Sequence, residues 1–260
     1  MAKTSSISPK KQQDQLTDQL YLAVQTNNVA AAARLIAQGA DAKWSHTCRF
    51  DKGDTKPNES LLSIALNNKN TDMMRLLIKH GANTKFRTIA GIVQTNDNEI
   101  IVQYESLLRQ AAKIDDPVFA EILIKNGAPI NDEEAEGANG TALFDAVAQG
   151  CLKTAALLLE NGAHPGACAL PTREFMNGRF NMRQIPLGEA VRRGDYDMTC
   201  LLLHYGAAQY INDDIRTTLI HLAAEGTNKP LEAMLLETPQ DLNEAFQLIQ
   251  FRNPDWARHL

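Results

Sequence analysis

Four cysteines (Cys48, Cys151, Cys168, Cys200) and six histidines are the residues best equipped for nucleophilic or metal chemistry. The cysteines are widely spaced and form no CxxC pair, so they read as reduced thiols in a cytosolic protein. His46-Thr47-Cys48 and the pair His164 and Cys168 each offer two ligands. A structural zinc site wants four, so no metal is expected. A Cys–His hydrolase needs its thiol and imidazole brought together by the fold. Cys151 and Cys200 lie in helical, apolar sequence and read as packed. The glycines fall at helix ends, not in GxGxxG or GxxxxGK[ST], and neither HExxH nor GxSxG occurs. No enzyme signature and no cofactor are expected.

A second cluster sits in "TREFMNGRFNMRQ", Thr172 to Gln184. Asn177-Gly178 suits a type I′ turn, so the stretch reads as a β-hairpin set between helices. Arg173, Arg179 and Arg183 stand there against a single Glu174, interleaved with Phe175, Met176 and Phe180. Arginine with aromatics is the composition of a protein–protein interface core. The same mixture can bind single-stranded nucleic acid. A net charge of -5 and a pI near 5.7 argue against that partner. An acidic stretch, Asp132, Glu133, Glu134 and Glu136, offers an internal counter-charge.

The chain that must position these groups has 260 residues, 44% hydrophobic and 22% charged, an ordinary soluble composition. No apolar run approaches a membrane span. Residues 1–12 are polar, with lysines but no apolar core after them, and are expected to form a disordered tail rather than a Sec signal.

Gly-Ala recurs after apolar helical sequence at Gly39, Gly81, Gly127, Gly162 and Gly206, with irregular spacings of 42, 46, 35 and 44. The distance back to each helix-pair start is constant: Asp18 to Gly39, Ser60 to Gly81, Ser106 to Gly127, Thr141 to Gly162 and Ile185 to Gly206 each span 21. All variation therefore lies between a glycine and the next pair. A stacked helix–turn–helix unit cannot change length without breaking the shared core, whereas an exposed connection can. This predicts an all-α solenoid over 13–250. Its helix pairs lie near 13–39, 60–81, 106–127, 141–162, 185–206 and 218–237. A closing helix near 239–250 is marked by Pro239 and the stripe Leu242, Ala245, Phe246, Ile249, and a tail covers 251–260.

"IPLGEAVRRGDYDMTCLLLHYGA" from Ile185, "TALFDAVAQG" from Thr141 and "TLIHLAAEG" from Thr218 resemble the ankyrin repeat, T-P-L-H-x-A-A-x-x-G closing with L-L-L-x-x-G-A-D. "ESLLSIALNN" and "ESLLRQAAK" fit with serine for threonine. The family period of about 33 leaves about 12 residues for each connection. Four of the five exceed this, by 9, 13, 2 and 11. The resemblance implies that the connections are β-hairpin fingers, so three are elongated. It also implies that His221, at the T-P-L-H histidine position, is structural.

The resemblance further implies protein binding by the finger tips and the exposed ends of the first helices. The matching ends are Gln25-Thr26, Asn67-Asn68, Lys113-Ile114, Ala148-Gln149 and Arg192-Arg193. With Trp44, Arg49 and Phe50 from the first finger and the Arg173–Arg183 cluster, they form the expected partner surface of a protein monomeric on its own. Short, degenerate ankyrin chains of this style resemble those of intracellular bacteria, which implies a secreted effector acting in a host cytosol. Two rival readings are an immunity-type inhibitor of a bacterial enzyme and a thiol-dependent enzyme using Cys48 or Cys168.

Overall fold

The computed structural model describes residues 9–47, 58–94, 100–131, 140–167, 185–211, 213–225 and Leu235. Helices come in consecutive pairs: α1 (Pro9–Gln25) with α2 (Val29–Ala37), α3 (Leu61–Asn67) with α4 (Thr71–Lys79), and α5 (Leu107–Ala112) with α6 (Pro117–Lys125). Then come α7 (Ala142–Gln149) with α8 (Leu152–Glu160), α9 (Pro186–Arg192) with α10 (Tyr196–His204), and α11 (Asp213–Glu225). The first helix of each pair packs on the first helix of the next, from α1 through α3, α5, α7 and α9 to α11. The second helices α2, α4, α6, α8 and α10 form a parallel outer row. The result is the expected two-layer solenoid.

Local sequence explains why the units repeat. Ser60, Ser106 and Thr141 cap α3, α5 and α7, each hydroxyl accepting the backbone N–H three residues on. Asn28, Asn70 and Asp195 do the same for α2, α4 and α10, and Asp116 caps α6 by accepting from Val118 N two residues on, with Pro117 pre-set for its first turn. Each outer helix stops at a glycine. At Gly39 (φ 105°), its N–H reaches Ile36 O and the N–H of Ala40 reaches Leu35 O, a Schellman closure that L side chains resist. The following alanines, Ala40, Ala82, Ala128 and Ala163, are buried in one continuous core of Leu, Ala, Ile and Met.

Among the described residues, two fingers carry β-structure. The first closes at its base through β1 (Ser45–His46) and β2 (Glu59–Ser60). The second is an antiparallel hairpin of β3 (Arg87–Gln94) and β4 (Ile100–Ser106), with a bulge at Ala90. Ser106 ends β4 and caps α5, so the finger grows straight out of an inner helix. Residues 168–184, 132–139 and 48–57, which hold the Arg/Phe finger, the acidic stretch and most of the first finger, lie outside the described residues. So does the closing helix near 239–250.

Two boundaries differ from expectation. α1 begins at Pro9, so residues 9–12 are helical rather than tail. Thr218 is not a helix start, because α11 begins at Asp213 and the Thr218 hydroxyl bonds Asp214 O within it. Asp213 and Asp214 supply acidic side chains where the helix dipole wants them. His221 consequently sits mid-helix with an exposed side chain.

Candidate partner-binding surface

Stacking of the inner helices lines up their C-terminal ends along one edge of the solenoid. Gln25, Thr26, Asn67, Lys113, Gln149, Arg192 and Arg193 are exposed there. Several have structural duties. Asn68 Nδ2 donates to Val24 O (3.1 Å), and Arg193 Nη1 donates to Ala148 O (2.8 Å). Each reaches back to a last-turn carbonyl of the preceding inner helix. These residues clamp repeat to repeat. Arg192 forms a bidentate pair with Glu189 on its own helix, at 2.8 and 2.5 Å, and Lys113 pairs with Glu105. The charge of this edge is therefore smaller than its list of cations suggests.

Trp44 is half-buried at the base of the first finger. Its indole meets the Tyr21 ring edge-on, with centroids 5.1 Å apart and planes at 67°. The Tyr21 hydroxyl donates to Glu59 Oε2 (3.0 Å) and accepts from Gln25 Nε2 (2.7 Å). Burial first, then the Glu59 carboxylate, hold the Tyr21 hydroxyl above the ordinary phenol value. Arg49, Phe50, Arg173, Phe175, Arg179, Phe180 and Arg183 lie outside the described residues.

Tyr21, Glu59, Glu105, Arg109, Asp145 and Glu189 belong to this face and were not anticipated. A signal was present. Gln110, Asp145 and Glu189 stand at one register, four residues after Ser106, Thr141 and Ile185. Polar residues recurring at one position of an apolar helix mark an inter-repeat network. Gln110 bonds Thr88 of the finger, and Asp145 pairs with Arg109 of the preceding unit.

The finger bases interlock in the same way. Asn131 Oδ1 accepts from His164 N (2.9 Å), and its Nδ2 donates to Gly162 O (2.9 Å). His164 Nδ1 accepts from Gly166 N (3.1 Å), and its ring lies 4.4 Å from that of Tyr210. Cys151 and Cys200 are buried and in no disulfide, whereas Cys48 and Cys168 lie outside the described residues. Among the described residues, no three His, Cys, Asp or Glu side chains gather as a metal ion would require. No described helix is long and apolar enough to cross a membrane.

Paired helices in two rows, with hairpins leaving at one edge, define the ankyrin-repeat fold. The chain is similar to the ankyrin repeat domain of Bcl-3, a protein described as a unique member of the IκB protein family. The TM-score is 0.59, with 24% identity and 84% of each chain covered. No protein-family model matches the sequence, and no curated protein does.

Proposed function

We propose that this protein is a non-catalytic binding module that holds a partner protein along its inner-helix ends and hairpin fingers. One observation carries the reading: the β3–β4 finger. Its strands are longer than a connection needs, they pair mainly with each other, and β4 runs directly into a rigid inner helix. Ile89, Val102 and Tyr104 on it remain only half-buried. Loops mounted on a rigid scaffold are where recognition concentrates. The finer reading is a secreted bacterial effector that binds a host protein in the host cytosol. Its support is the irregular finger lengths and degenerate repeats.

The test is a quantitative pull-down from parallel eukaryotic and bacterial lysates with three baits. These are the intact chain, a chain with 90–103 replaced by a short turn, and one with Thr172–Gln184 so replaced. A eukaryotic partner lost with either finger supports the module and the effector role. A single bacterial partner replaces the effector role with inhibition of a bacterial enzyme. Equal capture by all three baits overturns the fingers as the binding surface.

A further inference from the structure

We propose that Tyr21, Trp44 and Glu59 form a receptor for one cationic side chain of the partner, a lysine or arginine. The three residues come from three elements: α1, the approach to β1, and β2. Their assembly is a product of the fold, since Tyr21 and Glu59 are 38 residues apart. Two aromatic rings inclined at 67° form two walls of a corner. Ring faces carry negative electrostatic potential, and a cation within about 6 Å of a ring centroid is attracted to it. The Glu59 carboxylate stands at the Tyr21 hydroxyl, 3.0 Å away.

The occupant follows from charge. Among the described residues, no lysine or arginine pairs with Glu59; its recorded partner is the neutral hydroxyl of Tyr21. Every other half-buried or buried carboxylate described on this face, Glu105, Asp145 and Glu189, has its own basic partner. Among these described carboxylates, Glu59 is the one with no described lysine or arginine beside it, and the charge it carries suits a cation brought by a partner. The corner is also held in place beforehand. Gln25 donates to the Tyr21 hydroxyl, which donates to Glu59, so that hydroxyl is fixed from both sides. Trp44 O accepts from Leu61 N (3.4 Å), which ties its backbone to the start of α3. A cation entering here meets walls that need little reordering, and preorganisation of this kind raises affinity. All three side chains are half-buried.

This inference rests on the partner-binding reading and names what the first finger's base would recognise. It is tested without any partner, so the two fail separately. The chain has two tryptophans, Trp44 and Trp256. A Trp256→Phe variant leaves Trp44 as the sole reporter of emission. It is titrated with choline chloride and, in parallel, with 3,3-dimethyl-1-butanol, which has the same shape without the charge. The expected result is a saturable change in Trp44 emission with choline and none with the alcohol. Glu59→Gln, which keeps the hydrogen bond to Tyr21, should weaken choline binding by about three- to thirtyfold, with the melting temperature unchanged. Equal responses to choline and the alcohol, or identical affinity in Glu59→Gln, would overturn the proposal. So would a choline response that stays linear to the highest concentration reached.

Discussion

Arg109 Nε lies 2.7 Å from Asp145 Oδ2, and Arg109 Nη2 lies 3.4 Å from Oδ1, joining two consecutive repeats by a bidentate ion pair inside the stack. The side chains are only 7% and 11% exposed. Burial holds the Asp145 carboxyl above its ordinary value, with Arg109 pulling the other way. Joining the repeats in this way takes both charges out of water, a cost that their mutual attraction has to offset.

Breaking the pair should be much worse than replacing it. Asp145→Ala strands a buried guanidinium and is expected to cost about 3–5 kcal/mol. Arg109→Met combined with Asp145→Leu should lie within about 1–2 kcal/mol of the parent, on either side. Urea unfolding of the four members of the cycle decides this. Losses that simply add would show that the two residues act independently.

Lys69 has φ 53° in the turn between α3 and α4. The same register is held by Asn27, Gly150 and Gly194, all of positive φ. Lysine has no local hydrogen bond with which to offset that conformation, which is unfavourable for an L residue by about 1–2 kcal/mol. Lys69→Gly should gain about 1 kcal/mol after the greater chain entropy of glycine is subtracted. In a domain of this size the melting temperature should rise by about 2–4 °C. A lower melting temperature would mean that the lysine stem contributes packing worth more than the strain.

Gly166 packs so close to Tyr210 that any Cβ there would overlap the ring. Gly166→Ala should displace the 3-10 turn Ala207–Tyr210 and cost about 1–3 kcal/mol. Adding Tyr210→Gly, which removes both the Cβ and the ring that the new methyl would meet, should recover part of that loss. Hydrogen exchange at residues 207–210 gives the local reading. A double variant as unstable as the sum of the singles would place the damage elsewhere.

Cys151 is 2% exposed, and burial, then the nearby Asp115, push its thiol up despite Arg193. A raised folded value means the fold keeps this proton after the unfolded chain has released it. The contribution to stability is complete below the free-thiol value, near 8.5, and is lost as pH rises through the folded value. Chemical denaturation between pH 8 and 10.5 should show stability falling, with a shallower slope in Cys151→Ala. In the folded protein, Cys151 and the fully buried Cys200 should resist iodoacetamide and react only on unfolding.

Neighbouring polar residues on the inner edge should separate by readout. Arg193→Ala and Asn68→Ala remove repeat-to-repeat clamps and should each cost about 1 kcal/mol of stability. Asn67→Ala removes an exposed side chain and should leave stability within about 0.5 kcal/mol. Any effect it has should appear in partner affinity, measured by titration against the captured partner.

The sequence by itself determined the repeat. A constant 21-residue helix pair and a glycine stop are local properties, set by capping hydroxyls and by a backbone that turns left-handed at Gly39 and its counterparts. The elongated second finger was legible for the same reason, since alternating β-branched residues pair with near neighbours. The sixth unit misled because Thr218 matches the repeat pattern, yet two aspartates upstream start the helix earlier. Tertiary structure alone decided which polar residues are spent inside the molecule. Arg193 reaches Ala148 across 45 positions, Arg109 meets Asp145 across 36, and Tyr21 meets Glu59 across 38. Such pairings depend on the stacking of one repeat on the next, which brings distant positions within hydrogen-bond reach; the shared register of Gln110, Asp145 and Glu189 marked a network in the sequence but not the partner of any one of them.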